Sequence, residues 1–369
     1  LQQAMVDAFE GKDGAAVAVD PATGEVLAMV SLPSYDPNLF INGISHKDWQ
    51  ALQGPSRPLF NRNVLGGFPP GSTIKPFMAL AGLEYGLRTP QDRTLSTGEF
   101  FLPGQARGYR DWRAGGHGAV DLRESLAQSV NTYYFKLALD LGVDRIDTFF
   151  QRLGFGEPTG IDLSGEISGV RPSRSWKRRQ LNAEWYPGDT VNAGIGQGFW
   201  VTSPLQLAQG TAMIANGGVR HRPHLVREFQ SGFDQPRMPE PQPPGVRVVA
   251  NDASLAAVRD ALAALPGLLD GGGDAFLVSL SHRHAVHEHV ERRAGAEYAG
   301  GFDPIEVFDL SAHDEPPVTV ARQLLSDFEV ALDAAVHAER IADQRAPSAE
   351  FLEQAPGRCA GVERSGRDA

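Results

Sequence analysis

Gly66-Gly67-Phe68-Pro69-Pro70-Gly71-Ser72-Thr73-Ile74-Lys75-Pro76-Phe77-Met78-Ala79-Leu80-Ala81-Gly82-Leu83-Glu84 carries a Pro/Gly loop straight into an apolar run of helical character, with a serine at the join. Pro69, Pro70 and Gly71 do not extend a helix backwards, so the helix is expected to begin near Ser72, whose hydroxyl then lies in the positive field of its N-terminus. Lys75 follows three residues on. That spacing stacks the two side chains on one helical face and brings the ammonium nitrogen within reach of the serine oxygen. A serine hydroxyl becomes a nucleophile with a base beside it, and a lysine shielded from water gives up its charge and serves as that base. Ser-x-x-Lys also reads as a capping serine followed by a solvated lysine, and the tripeptide spacing alone does not separate the two.

A second polar pair breaks a later helical pattern. Val120 to Ala138 places apolar residues at helical spacing, interrupted by Ser129-Val130-Asn131, which two capping residues at a helix break account for locally. The two stretches together carry a resemblance. Pro-Pro-Gly-Ser-Thr-Ile-Lys-Pro followed by Ser-x-Asn closely resembles the active-site segments of class B penicillin-binding proteins, in particular their cell-elongation transpeptidases, and the likeness stays dense from Leu141 to Phe229. It implies an α/β (α+β) fold shared with serine β-lactamases, an antiparallel sheet flanked by helices plus a helical subdomain. It also implies roles: Ser72 attacks the carbonyl of a D-alanyl-D-alanine stem peptide and Lys75 takes its proton. Ser129 relays protons, and Asn131 holds Lys75 and binds a substrate carbonyl. The implied partners are peptidoglycan stem peptides, β-lactam antibiotics and elongation-complex membrane proteins, including a glycosyltransferase of the shape and elongation family. They meet at the periplasmic face of the bacterial inner membrane, with no cofactor and no nucleic acid. Members of the family carry an N-terminal anchor and a pedestal domain, and a chain opening on Leu1-Gln2-Gln3 is expected to be a fragment lacking both.

The remaining pattern fits that architecture. Residues 1–11 are apolar at helical spacing (Leu1, Met5, Val6, Phe9), and two apolar runs, 15–19 and 25–30, flank the turn Asp20-Pro21-Ala22-Thr23-Gly24, so a helix and an antiparallel hairpin are expected. Residues 32–63 read as a long loop with a short helix at 46–52, and further helices are expected at 72–86, 121–142 and 204–216. Gly194-Ile195-Gly196-Gln197-Gly198 is not a phosphate loop, because no Lys-Ser/Thr opens a helix after it. In the resembled family this stretch lies beneath the active site. Trp176, Trp185 and Tyr186 are placed on surface loops that present aromatics to a peptide.

Asp111 and His117 invite a metal reading, since some relatives resemble this stretch and hold a structural zinc through aspartates, a histidine and a cysteine. Here Val130 stands in place of the cysteine and Ser96-Thr97 in place of the further aspartate. Two ligands do not close a four-donor zinc site, so a hydrogen-bonded Asp/His pair packing a loop is expected.

A chain of 369 residues, 41% hydrophobic, with 41 Gly and 26 Pro, is long enough for one sizeable domain and an appendage. A net charge of −11 does not point to nucleic acid or an anionic lipid surface. The single cysteine, Cys359, excludes an internal disulfide. No run of about 18 apolar residues offers a membrane span. From about Pro266 the composition changes: Lys, Met, Trp and Asn vanish, six of the ten histidines appear, and 19 acidic residues stand against 9 Arg. Residues 1–265 are therefore expected to form the transpeptidase domain, and 266–369 a divergent tail joined by a change of reading frame or a fusion, with an amphipathic helix over 321–345. The histidine-rich 282–289 fits no zinc-finger spacing and is expected to be solvated. The resembled family places a Lys-Ser/Thr-Gly strand beside the serine to grip the substrate carboxylate and complete the oxyanion hole, yet no lysine follows Lys177, so an incomplete sheet is expected. Three readings result: a D,D-transpeptidase, a penicillin-recognising module that acylates slowly or not at all, and a non-functional product. A serine β-lactamase-like hydrolase is a variant of the first, disfavoured by Pro69-Pro70-Gly71 and by the likeness running through Gly198.

Overall fold

The computed structural model describes residues 1–263 and, as backbone, a strand at 277–281. The stretches 282–289 and 321–345 and Cys359 lie outside the described residues. A helix, α1 (Gln2–Ala8), precedes the hairpin of β1 (Gly14–Val19) and β2 (Val26–Leu32). Asp20 shapes the turn: its Oδ1 accepts the N–H of Ala22 at 2.7 Å and of Thr23 at 3.3 Å. β1 is buried along its whole length, and the strand pleat sends its residues to opposite faces. Ala16 and Ala18 pack with Met5 and Phe9 on one side, while Val17 and Val19 meet Val64, Leu205 and Ala208 on the other.

After α2 (His46–Leu52) comes the helix of the opening motif, α3 (Lys75–Glu84). Four short strands follow: β3 (Thr94–Ser96), β4 (Glu99–Phe100), β5 (Tyr109–Arg110) and β6 (Gly118–Val120). They precede α4 (Leu122–Ala127), α5 (Asn131–Arg152), α6 (Arg174–Leu181), α7 (Pro187–Ala193) and α8 (Pro204–Ala215). The strands β7 (Val219–Arg220), β8 (Glu228–Phe229), β9 (Met238–Pro239) and β10 (Val246–Arg247) then lead to α9 (Asp252–Ala263) and β11 (Leu277–Ser281). Among the described residues the largest sheet has the order β11-β1-β2, all antiparallel, with Gly14 opposite Ser281 and Ala18 opposite Leu277. Five residues from beyond 265 thus enter the sheet, so the composition break does not coincide with its edge. No described helix is long and apolar enough to cross a membrane.

The larger core lies under the motif helix. Phe77, Met78, Leu80 and Ala81 of α3 are buried against Tyr133, Tyr134 and Leu137 of α5. The two helices approach so closely that a Cβ on Gly82 would sit 2.7 Å from Leu137 Cδ1. Phe150 packs edge-on against Phe77, Phe155 and Trp200, with centroids 4.9–6.3 Å apart, and burying each such ring contributes about 1.5–3 kcal/mol. α8 is buried on most faces and opens with a capping box, Gln206 N–H to Ser203 Oγ at 3.1 Å and Ser203 N–H to Gln206 Oε1 at 3.0 Å.

Two expected boundaries differ. The helix placed at 72–86 begins as a 3-10 turn over Gly71–Ile74 and becomes α-helical only at Lys75. The helical stretch placed at 121–142 is broken at Ser129-Val130 into two helices, as the Ser-x-Asn break led us to expect, but the second runs beyond 142 to Arg152 across Gly142, which at φ 71° and ψ 154° breaks its path.

Candidate active site

The nucleophile candidate is set by backbone contacts. Gly71 has φ 54° and donates its N–H to Gly196 O at 2.9 Å. Gly196, at φ 72°, lies so close that a Cβ on it would be 2.1 Å from Gly71 O. Gly194–Gly198 therefore buttresses the loop carrying Ser72. Ser72 itself is exposed, whereas Lys75, one residue into α3, is 1% exposed.

Ser129 and Asn131 reach this point from the break between α4 and α5. Lys75 Nζ donates to Ser129 O at 2.7 Å, to Ser129 Oγ at 2.9 Å and to Asn131 Oδ1 at 2.8 Å. Ser129 Oγ in turn donates to Ser72 Oγ at 3.0 Å. The four side chains singled out in the sequence meet in one cluster. The expected direct contact between Lys75 and Ser72 is not made: among the described residues their link runs through the Ser129 hydroxyl.

Burial drives the Lys75 ammonium pKa down from 10.5 to about 7, against the opposing pull of the Asp111 carboxylate. The Tyr134 ring lies under the nitrogen, 5.5 Å from Nζ to centroid, and burial raises that phenol well above its ordinary value. A protonated lysine has three N–H donors, and the three contacts accept all of them. A neutral lysine has two donors and one lone pair, so one contact must reverse. The Ser129 carbonyl accepts only. The Asn131 amide turns its Nδ2 toward Arg110 O at 3.4 Å, leaving its oxygen toward the lysine. The Ser129 hydroxyl is the partner able to donate, and having donated to Lys75 it accepts from Ser72. Deprotonation of Lys75 thus orients a two-step proton path away from the Ser72 oxygen.

Asp111 and His117 do lie together, His117 Nε2 being 3.7 Å from Asp111 Oδ1. They do not fit a zinc site. The Asp111 carboxylate is occupied by the N–H groups of Asn131 and Thr132 at 2.9 and 3.0 Å and by the hydroxyls of Thr132 and Ser96 at 2.8 and 3.1 Å. His117 Nε2 is buried without a hydrogen-bond partner, and the Val130 side chain offers no fourth ligand. Sequence reading marked this pair but not the neighbours Trp112 and Gln128 that act with it. The expectation for the later aromatics is corrected: Trp185 is buried and Trp176 half-buried, stacked on Phe199, and only Tyr186 is exposed. Their common centre is Lys177, buried and paired with Asp189 at 2.6 Å among the rings of Trp185, Tyr186 and Phe199.

Residues 14–263 match the family model described as the penicillin binding protein transpeptidase domain. The chain belongs to that family. It is 43% identical over 233 residues to the peptidoglycan D,D-transpeptidase MrdA of Salmonella typhimurium, a match covering 63% of this chain and 37% of that protein. To the MrdA of Escherichia coli K12 it is 41% identical over 247 residues, 67% of this chain and 39% of that one. Among solved structures it is similar to Pseudomonas aeruginosa PBP2 in complex with WCK 5153, at 44% identity and a TM-score of 0.65, over 70% of this chain and 56% of that one. The chain therefore spans less than half the length of these curated relatives. Penicillin-binding transpeptidases and this chain share the mixed fold of helices and antiparallel strands.

Proposed function

We propose that this chain carries the acyl-transfer centre of a peptidoglycan D,D-transpeptidase of cell elongation, with Ser72 as nucleophile, Lys75 as base, Ser129 as proton relay and Asn131 as the group that fixes Lys75 and receives the substrate. The observation that carries this reading is the hydrogen-bonded line Ser72–Ser129–Lys75, ending on an amine whose pKa burial brings to about 7. Ser72 Oγ attacks the carbonyl carbon of the penultimate D-alanine as its proton passes to Ser129 and the Ser129 proton passes to Lys75. Collapse of the tetrahedral intermediate returns a proton along the same line to the departing D-alanine amine. A second stem-peptide amine then displaces Ser72 and forms the cross-link. With a β-lactam the expelled nitrogen remains tethered, and the acyl-enzyme persists. The M. tuberculosis penicillin-binding protein A solved as an imipenem acyl-enzyme, 28% identical at a TM-score of 0.63 over 73% of this chain and 63% of that one, supports the β-lactam half.

The lysine-free sequence after Lys177 favours a second, narrower reading, that this chain acylates slowly. Without a Lys-Ser/Thr-Gly strand the oxyanion keeps one backbone donor, and loss of one such donor costs about 10²–10³ in rate. Residues 1–265 carry the acylating side chains in this account, and from the divergent tail 266–369 the strand 277–281 joins their sheet. The reaction belongs on the periplasmic side of the inner membrane, where its substrate lies, beside elongation-complex proteins. The Helicobacter pylori PBP2 solved with MreC supports such a partner. The test is incubation with a penicillin followed by mass spectrometry, beside Ser72→Ala. A single adduct on Ser72, forming over hours and absent from the variant, is expected. No adduct at any time removes the acyl-enzyme reading, and rapid stoichiometric labelling removes the slow one.

A further inference from the structure

Ser129 stands in the left-handed region at φ 51°, a conformation that a non-glycine residue keeps only when its surroundings impose it. The requirement has an evident use. Only this sharp bend lets one residue present both its carbonyl and its hydroxyl to Lys75 Nζ, at 2.7 and 2.9 Å. Within the bend Ser129 N–H bonds Leu126 O at 3.1 Å and Val130 N–H bonds Ser125 O at 2.9 Å, closing the end of α4. Those two bonds leave the carbonyl before the bend and the amides after it to be held from elsewhere.

One loop supplies every such partner. Trp112 Nε1 donates to the Gln128 carbonyl at 2.8 Å, and His117 Nδ1, protonated in the tautomer this contact requires, meets Gln128 Oε1 at 3.0 Å. On the far side Asp111 Oδ1 and Oδ2 accept the Asn131 and Thr132 N–H groups, the orphan donors at the start of α5. Arg110 O takes the Asn131 amide N–H, which aims Oδ1 at the lysine. The loop is itself fixed by Asp111 N–H to Gly98 O at 2.8 Å, and Trp112 and His117 meet edge-to-face with ring centres 5.1 Å apart.

We propose that Asp111, Trp112 and His117 form a clamp of positioning residues that grips Ser129-Val130-Asn131 from both ends and holds it in the one backbone shape that aims three oxygens at Lys75. None of the three touches Ser72 or Lys75 by a hydrogen bond; they act through Gln128, Asn131 and Thr132, and Asp111 in addition raises the Lys75 pKa by its charge. The catalytic consequence rests on the acyl-enzyme reading given above, whereas the clamp itself is a property of the backbone.

The test compares the full chain with Asp111→Asn and Trp112→Phe by hydrogen exchange and by penicillin acylation as a function of pH. Exchange at 128–132 is expected to rise about tenfold or more in both variants, with the amides of 204–215 unchanged. The acylation rate at saturating penicillin should fall about tenfold to a hundredfold, with the half-saturating concentration little altered, because the loss is of alignment and not of encounter. Its pH profile should shift in Trp112→Phe as Lys75 loses fixed partners, the variant that reports on the clamp, because Asp111→Asn also shifts it by removing a charge that raises the Lys75 pKa. Trp112 is 56% exposed, so Trp112→Phe remains folded and decides the matter if Asp111→Asn does not. Parent-like exchange at 128–132 overturns the clamp, as does faster exchange with parent-like acylation and pH profile. A parent chain that takes no adduct removes the acyl-enzyme reading instead, and the exchange comparison then decides the clamp on its own.

Discussion

In the proposed mechanism Lys75 concentrates the chemistry in one nitrogen. A free lysine holds its proton to 10.5, and this one releases it near 7 because burial penalises the charged form. Between those values the unfolded chain binds more protons than the folded one, so folding stability rises as pH climbs from about 7 to about 10.5 and is flat below. The full change is on the order of 5 kcal/mol. Urea midpoints measured at pH 7 and pH 10 should therefore rise in the parent, while Lys75→Met should lose the slope; equal slopes in both would show that the nitrogen is not the buried cation described here. Acylation follows the same titration and should increase through pH 7. Ser72, Lys75, Ser129 and Asn131 were legible in the sequence through their motifs. The left-handed φ of Ser129 and the lack of a direct Lys75–Ser72 bond beside the expected Ser129 relay were not, since neither spacing nor propensity encodes a tertiary grip on one backbone dihedral.

At the scale of elements, the nucleophile loop depends on a glycine far away in sequence. Gly196 has φ 72° and touches Gly71, so Gly196→Ala meets both a left-handed backbone, costing about 1–2 kcal/mol, and a clash with the carbonyl before Ser72. We expect a lowered Tm together with loss of penicillin labelling at Ser72; a variant that labels at the parent rate would mean that the loop holds its shape without this buttress. The hairpin of β1 and β2, the short helix at 46–52 and the capped α8 follow local rules and were readable as such. The first turn of the motif helix was not, because its 3-10 form is set by the Gly71–Gly196 contact. Trp176 and Trp185 likewise read as loop aromatics, but both pack against Phe199, and Trp185 also lies beside the buried Lys177.

At the scale of the molecule, the four site residues and the core beneath α3 all lie within 1–263, while β1 takes one of its two neighbours, β11, from beyond 265. A chain ending at 265 should therefore keep whatever labelling rate the full chain has, yet present an unpaired edge of β1, a template for pairing with another copy. Labelling kinetics and sedimentation of 1–265 beside the full chain check both halves. An unchanged oligomeric state would mean that the edge is covered by other chain, and a lost labelling rate would place part of the site in the tail. Composition alone located the change of character near 266, but not the strand that crosses it, because five residues of Leu, Val and Ser carry no compositional signature.

The line of hydroxyls from Ser72 to Lys75 has a kinetic signature. Two hydrogens change partners for each bond that Ser72 makes, one leaving each serine, so if they move together both contribute to a deuterium solvent isotope effect. In mixtures of light and heavy water the acylation rate should then bend downward as the deuterium fraction rises. A straight line would mean that a single hydrogen is in flight at the barrier and that the Ser129 hydroxyl stands by as a spectator.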